Sequence, residues 1–128
     1  MSPNRRGPFV AGNWKMHLTL AEARELARRV AGAATPELGG STVVLIPPFT
    51  SLAAVAGAVA GTPVGLGAQD LHWEDKGAFT GEVSGPMIKD AGAGYVLVGH
   101  SERRQFFGET DETVNRKARA ALRSGLSP

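Results

Sequence analysis

The segment YVLVGHSERR, residues 95–104, decides how the fold of this chain is interpreted. Residues 95–98 are a short apolar run of β-branched and aromatic side chains, which is typical of a strand buried on both faces of a parallel sheet. Gly99 ends the run, and the sequence after it predicts a short helix that begins at Ser101. His100 then lies at the N-terminus of that helix, where backbone N–H groups carry partial positive charge. We therefore expect a neutral imidazole that can donate a hydrogen bond to a carbonyl oxygen.

The rest of the chain repeats a strand followed by a helix, four times in all. Predicted strands cover residues 8–12, 42–46, 64–68 and 95–98, and helix-forming sequence follows each of them. Alternation of this kind predicts an α/β fold with a parallel sheet covered by helices. Two architectures fit the pattern: an open doubly wound sheet and a closed (β/α)8 barrel.

Capping residues predict where the helices begin. Thr19, with Glu22 three residues later, predicts a capping box at the first helix. Thr50 and Thr110 are expected to cap the second and the last helices, and Ser84 to open a short one. The apolar stripes expected to face the core are Ala23, Leu26, Ala27 and Val30 in the first helix, and Val114, Ala118, Ala121 and Leu122 in the last.

Polar residues follow three of the four predicted strands. Asn13 and Lys15 follow the first strand, a Gln-Asp pair at residues 69–70 follows the third, and His100 and Glu102 follow the fourth. Reactive side chains spread over several strand ends are typical of a (β/α)8 barrel. A single histidine at a strand end is more often structural than catalytic. The functional interpretation of His100 therefore depends on the polar residues that follow the other strands.

An open nucleotide-binding sheet would need a glycine fingerprint that the sequence lacks. Gly65-Leu66-Gly67 begins like one, but Asp70 stands where the third glycine belongs. The barrel is therefore the favoured architecture. A complete barrel takes roughly 250 residues. The four units in these 128 residues amount to a half-barrel, and the sequence stops where a fifth strand is expected.

Composition narrows the class of protein. Hydrophobic residues make up 42% of 128 residues, enough for one domain core, and no apolar run reaches the ~18 residues of a membrane span. The absence of cysteine excludes disulfides and thiolate metal sites, and the three histidines have no metal-ligand spacing. The isoelectric point near 9.4 comes from basic residues scattered among acids, so nucleic-acid binding is not expected. Residues 1–7 include Arg5 and Arg6, but no apolar core of a signal peptide follows them, which predicts a cytoplasmic location.

Several motifs together resemble the triosephosphate isomerase family. The segments that carry the resemblance are AGNWKM at residues 11–16, PPF at 47–49, GAQD at 67–70, GAFTGE at 77–82, VGHSERR at 98–104 and FGETDE at 107–112. The resemblance extends from about Phe9 to Pro128. It implies a TIM barrel, present as a (β/α)4 half-barrel in which residues 1–128 form the amino-terminal half of one domain.

The resemblance also implies a glycolytic isomerase that needs no cofactor. Such an enzyme interconverts dihydroxyacetone phosphate and D-glyceraldehyde 3-phosphate through an enediolate. Asn13 and Lys15 would bind this phosphorylated triose substrate, and His100 would polarise its carbonyl as a neutral electrophile, which is the known chemistry of the family. Glu102 would hydrogen-bond or pair near Lys15 and help to place it, and Ser101 would supply the helix-start N–H toward His100.

A homodimer is implied as well. Residues 69–85 resemble the interdigitating loop of the family, in which Thr80 at the tip would reach the site of the partner subunit. Phe79 and Gly81 flank this tip, and Met16 would lie beside the incoming loop. No metal is implied.

The family's catalytic glutamate, its lid and its phosphate-binding loops have no counterpart in this sequence. Glu82, Glu102 and Glu109 match other positions of the family. Three hypotheses follow: the amino-terminal half of a triosephosphate isomerase; a fragment that folds partly, self-associates and catalyses nothing; or a half-barrel that binds a different anion.

Overall fold

The computed structural model describes residues 6–128 and contains a four-stranded parallel sheet. The strands lie in sequence order and are β1 (Phe9–Asn13), β2 (Thr42–Ile46), β3 (Gly65–Ala68) and β4 (Tyr95–Val96). This order confirms the predicted strand-helix alternation. Residues 1–5, which belong to the N-terminal segment used to predict a cytoplasmic location, lie outside the described residues.

The described helices are α1 (Leu20–Ala33), α2 (Leu52–Val59), α3 (Gly85–Asp90), α4 (Ser101–Phe106) and α5 (Asp111–Arg123). None of these helices has the length and apolar character needed to cross a bilayer. The capping box at α1 is confirmed, since Thr19 N and Oγ1 donate to Glu22 Oε1 at 3.1 and 2.6 Å. Thr110 caps α5 as predicted, because its hydroxyl accepts a hydrogen bond from Thr113 N at 3.3 Å.

The prediction that Thr50 caps α2 is wrong. A 3-10 turn covers Phe49–Ser51 and continues into the helix, whose N-cap residue is Ser51. The turn starts at Pro48, whose carbonyl accepts a hydrogen bond from Ser51 N at 3.0 Å. The backbone of this turn therefore takes the place that a threonine side chain was expected to fill.

The core lies between the sheet and its helices. In α1, Ala23 and Ala27 are fully buried and belong to the core, but Leu26 is 37% exposed, so its predicted core position is wrong. The two small alanines hold the inward positions, and Leu26 lies on the flank of the helix.

The inner face of α5 also differs from the prediction. Leu122 is 65% exposed, whereas Lys117, Ala120 and Ala121 are buried. The buried stripe is thus rotated so that a lysine occupies an inward position. The carboxylates that accompany this lysine, described below, explain how a charged side chain is tolerated there.

The opposite face of the sheet is strongly curved around an open apolar cavity of about 330 Å³. The rings of Phe9 and Tyr95 lie 5.5 Å apart although β2 and β3 separate their strands. Gly67 gives this curvature room, because a Cβ at that position would lie 3.2 Å from both Ile46 and Tyr95. Val44 and Ile46 also line the cavity.

β4 is shorter than the predicted residues 95–98, although Leu97 N still donates to Ala68 O at 2.8 Å. Its outer edge is partly paired. Val96 N donates to Ser127 O at 3.1 Å, and Ser127 N donates to Gly94 O at 2.9 Å. Ser127 therefore lies where a fifth parallel strand adds to the sheet.

Candidate active site

Polar side chains from β1, from the end of β3 and from the turn after β4 meet at one edge of the sheet. The carboxyl ends of parallel strands share an edge, which is why residues far apart in sequence converge there. They surround a cleft of about 360 Å³, whose lining includes Asn13, Lys15, Met16, Gln69, His100 and Glu102. The structure thus brings together the four residues, Asn13, Lys15, His100 and Glu102, to which the sequence assigned chemistry.

Lys15 is held from both its backbone and its side chain. Its φ of 55° lies in the left-handed region, which costs a non-glycine residue of order 1–3 kcal/mol. Asn13 Oδ1 accepts a hydrogen bond from Lys15 N at 3.0 Å, and Gln69 Nε2 donates one to Lys15 O at 2.7 Å. Lys15 Nζ donates to Glu102 Oε1 at 2.5 Å. The strained conformation therefore has partners on each side.

The Lys15–Glu102 pair is open to solvent. The side chains are 51% and 40% exposed, respectively. The hydrogen bond from Lys15 lowers the pKa of Glu102 below its usual range, with the charge of Lys15 acting in the same direction and burial opposing them. The pairing is the contact that the resemblance implied for these residues. Because it is exposed, an anion that enters the cleft can compete for the ammonium.

His100 is the N-cap residue of α4. Its Nδ1 accepts a hydrogen bond from Glu102 N at 3.1 Å. The expectation that Ser101 supplies this N–H is wrong, because an N-cap side chain reaches the amide of the second or third helical residue and not that of the first. An Nδ1 that accepts a hydrogen bond carries no proton, so the ring proton lies on Nε2. The Glu102 carboxylate, 3.8 Å from this Nδ1, then forms no ion pair with the ring.

A buried ionic cluster of Asp70, Arg103, Glu109 and Lys117 adjoins the cleft, and two of its members, Asp70 and Arg103, line the cleft. Lys117 Nζ is 2.8 Å from Asp70 Oδ1 and 2.6 Å from Glu109 Oε1. Arg103 Nε is 3.1 Å from Asp70 Oδ2 and 2.9 Å from Glu109 Oε2. These contacts tie α4, which follows His100, to the end of β3 and to α5.

The two carboxylates of this cluster respond differently to their surroundings. Burial raises the pKa of Asp70, and the hydrogen bond and charge of Lys117 only partly offset it. Burial also acts to raise the pKa of Glu109, but its contacts with Lys117 and Arg103 outweigh burial and lower the pKa overall. Two acids and two bases balance in charge, which is how a buried group of this kind is sustained.

No motif of the sequence predicted this cluster. Its strongest signal was spacing, because Lys117 lies three residues after Val114 and four before Ala121, on the inward side of the helix. A lysine among apolar positions of a stripe indicates a buried partner of opposite charge.

The residues expected at a dimer interface divide into two groups. Met16, which is 92% exposed, and Gly81 line the cleft. Phe79 and Thr80 do not. The ring of Phe79 lies 4.3 Å from that of His72 in the same chain and keeps 44% of its surface exposed.

A larger cavity, of about 620 Å³, lies between α5 and the loop that begins at Trp73. Arg123 pairs with Asp75 at 3.0 Å, and the guanidinium of Arg116 lies 5.5 Å from the centre of the Trp73 ring. These arginines join the loop to the helix, so we assign this cavity a structural role. In the described part of the chain, no three carboxylate or imidazole groups converge as metal ligands.

Comparison with known proteins identifies close relatives of this chain. A family model described as triosephosphate isomerase matches residues 8–128. The triosephosphate isomerase of Moorella thermoacetica is 57% identical over 126 residues, which cover 96% of this chain and 49% of that protein. The triosephosphate isomerase of Chloroflexus aurantiacus is 58% identical over 123 residues, with 96% and 49% covered. The chain spans about half the length of the curated relatives it matches.

A solved structure agrees with these relatives. The crystal structure of triosephosphate isomerase from Bartonella henselae superposes with a TM-score of 0.84 and 39% sequence identity. The match covers 93% of this chain and 48% of that one. The four strand-helix units are therefore those of a TIM barrel, as predicted.

Proposed function

The chain belongs to the triosephosphate isomerase family, and from this premise we propose that it supplies the carbonyl-polarising part of a triosephosphate isomerase active site. On this proposal residues 1–128 are the amino-terminal half of one barrel. The observation that carries the proposal is the orientation of His100, whose Nδ1 is occupied by a backbone amide so that Nε2–H is the donor. Lys15 lies in the same cleft.

Four side chains have distinct tasks in this proposal. His100 Nε2 donates a hydrogen bond to the carbonyl oxygen of the triose, which stabilises the negative charge that develops when a neighbouring carbon loses its proton. The Lys15 ammonium attracts the phosphorylated substrate and the enediolate. Asn13 holds the backbone of Lys15 through the N–H contact at 3.0 Å. Glu102 keeps the ammonium in place until substrate enters.

The same residues leave one step without a catalyst. Removal of a proton from carbon requires a base on the opposite side of the substrate. His100 is committed as a donor, Lys15 is the cation of an ion pair, and Glu102 accepts the hydrogen bond of that pair. We expect the carboxylate base to come from sequence outside residues 1–128, as the family pattern implies.

Complementation tests the proposal. The purified chain should show no isomerase activity above the solution background. Mixing it with a separately produced carboxyl-terminal half of a relative should restore activity, and the His100→Gln variant should abolish that gain while pairing with the second half equally well. Turnover by the isolated chain that is lost in His100→Gln would show that the base lies within residues 1–128, contrary to the proposal.

A homodimer is part of the proposed whole protein. Met16 and Phe107, which are 92% and 67% exposed, both line the cleft. Apolar side chains this exposed at the rim of a cleft favour a partner surface. We propose that the loop around Thr80 of a second subunit covers them.

A second candidate is favoured by the exposed edge strand of the sheet. Phe9 and Val10, both on β1, are 55% and 56% exposed, and this strand lies at an edge of the sheet. An exposed edge with apolar side chains favours self-association. On this alternative the chain associates with copies of itself and catalyses nothing. A sharp monomer in sedimentation velocity, at concentrations up to those used for NMR, would contradict it.

A further inference from the structure

We infer that Gln69 is a positioning residue that holds Lys15 in the conformation required for catalysis. The inference rests on the proposed function, because Lys15 acts on substrate only in that proposal. Gln69 itself needs no contact with substrate. It acts through the carbonyl of Lys15.

The geometry singles out the carboxamide nitrogen of Gln69. Nε2 donates to Lys15 O at 2.7 Å and to Ile46 O at 3.1 Å. Ile46 is the last residue of β2, and its carbonyl also accepts a hydrogen bond from Trp14 N at 3.0 Å. One nitrogen thus joins the end of β3 to β2 and to the loop that carries Lys15.

The position requires two donors on one atom. A primary amide supplies them, whereas a carboxylate supplies none and a protonated carboxyl supplies one. An ionised carboxylate would also face two carbonyl oxygens at hydrogen-bond distance. The chemistry of the site therefore specifies glutamine among side chains of this length.

The strained backbone of Lys15 explains why its contacts with Asn13 and Gln69 matter, and we call these two contacts the clamp. Its φ of 55° is disfavoured for a residue with a side chain, so the surrounding contacts must hold it. Asn13 Oδ1 accepts from the N–H of Lys15, and Gln69 donates to its C=O. Without Gln69, one side of the clamp is lost, and the backbone can rotate into the allowed region. Rotation there redirects Nζ away from Glu102.

NMR on the chain itself tests this inference directly. The variants are Gln69→Leu, which removes both donors at similar volume, and Gln69→Glu, which makes the donor count depend on pH. The three-bond couplings of Lys15 report its φ, and the chemical shift of its Nζ reports the contact with Glu102. Gln105, the other glutamine of the chain, is exposed on α4, so Gln105→Leu and Gln105→Glu are matched controls.

We expect Lys15 to leave the positive-φ region in Gln69→Leu, and in Gln69→Glu at pH 7, but in neither control. Acidification should restore the parent couplings in Gln69→Glu, because a protonated carboxyl regains one of the two donors, which is enough for the contact with Lys15 O. The useful pH range is the one in which the introduced glutamate is protonated and Glu102 is still ionised. Burial against two carbonyl oxygens raises the pKa of the introduced carboxyl, and the pKa of Glu102 is lowered, so such a range exists. Should Gln69→Leu fail to fold, the reversible pH response of Gln69→Glu decides the question.

Parent couplings for Lys15 in folded Gln69→Leu, or in Gln69→Glu at pH 7, would overturn the inference even if both variants melt earlier. Kinetics of the complemented barrel provide the second readout. Gln69→Leu and Lys15→Met should not be additive, so the double variant should be within about twofold of Lys15→Met alone. Fully additive losses would also overturn it. A complemented parent without activity would defeat the proposed function but leave the NMR result standing.

Discussion

Two lysines at the same edge of the sheet form ion pairs of opposite character. Lys15 meets Glu102 at 2.5 Å with half of its side chain exposed. Lys117 lies 2.8 Å from Asp70 and 2.6 Å from Glu109, and only 8% of its side chain is exposed. The contact distances of the two lysines are similar, and the pairs differ in how far their side chains are exposed to solvent.

This difference in exposure suits the two lysines to different roles, one in binding an anion and the other in stabilising the fold. An exposed ammonium can exchange a carboxylate for a substrate anion at little cost, because water already solvates both partners. A buried ammonium cannot, since losing either carboxylate leaves a charge without solvent. The Lys15–Glu102 pair is therefore suited to binding. The buried ionic cluster is suited to holding α4 and α5 against the end of β3.

Replacing Lys15 tests the binding half of this comparison and should give the largest effect. In the complemented barrel, Lys15→Met removes the charge that we propose attracts both substrate and enediolate. We expect catalytic efficiency to fall about a thousandfold or more, where each factor of ten corresponds to about 1.4 kcal/mol in the barrier. Steady-state kinetics measures this. A catalytic efficiency within tenfold of the parent value would contradict the proposed role of Lys15 in catalysis.

Replacing Lys117 tests the scaffolding half. Lys117→Met leaves Asp70 and Glu109 buried with one cation fewer, and breaking a buried pair in this way costs about 3–5 kcal/mol. Urea unfolding should show the loss at neutral pH. It should shrink on acidification as a carboxyl takes up a proton.

Lys76→Met is the matched control for that experiment, because Lys76 is exposed in the loop after Trp73. Its unfolding free energy should stay within ~0.5 kcal/mol of the parent value. A loss below ~1 kcal/mol for Lys117→Met would mean that the cluster is not the structural anchor described above.

The exposed pair could be predicted because the sequence resembles a known family, whereas the buried ionic cluster was not predicted. The strand order and most helix starts follow from alternation and caps, and the resemblance implied the Lys15–Glu102 contact. Leu26 and Leu122 were placed in the core because a periodic stripe does not reveal which of its edges turns outward. Arg103, Glu109 and Lys117 were missed because burial of charge depends on partners from three elements, and this three-dimensional match leaves little trace in any one segment.

The pKa values of Asp70 and Glu102 should be shifted in opposite directions from their ordinary values. The folded pKa of Asp70 is raised above the ordinary 3.8, so its contribution to stability is present below that value and is lost as pH rises through the folded pKa. The folded pKa of Glu102 is lowered below 4.5, so its contribution is present above 4.5 and is lost as pH falls through the folded pKa. Carbon-detected NMR of the two carboxyls measures both midpoints. If both pKa values were shifted in the same direction, burial could not be the main influence on Asp70 while pairing is the main influence on Glu102.

The smallest effect should be that of Lys15→Met on stability. The pair is solvent-exposed, and water screens its attraction. We expect a thermal melting curve close to that of the parent, in contrast to the loss for Lys117→Met. A large drop in melting temperature would show that Lys15 is as much a scaffold residue as Lys117, and the comparison would no longer hold.

The order of the strands has a consequence for how the chain is made. Each strand pairs with the one synthesised before it, from β1 to β4. A ribosome adds about 5–20 residues per second, so every strand emerges beside a partner that is already present. Among the described strands β1 to β4, no pairing has to wait for a distant segment, which keeps loop-closure costs low. The fold can therefore grow during translation by adding one strand-helix unit at a time, with β1 as the template for all that follows.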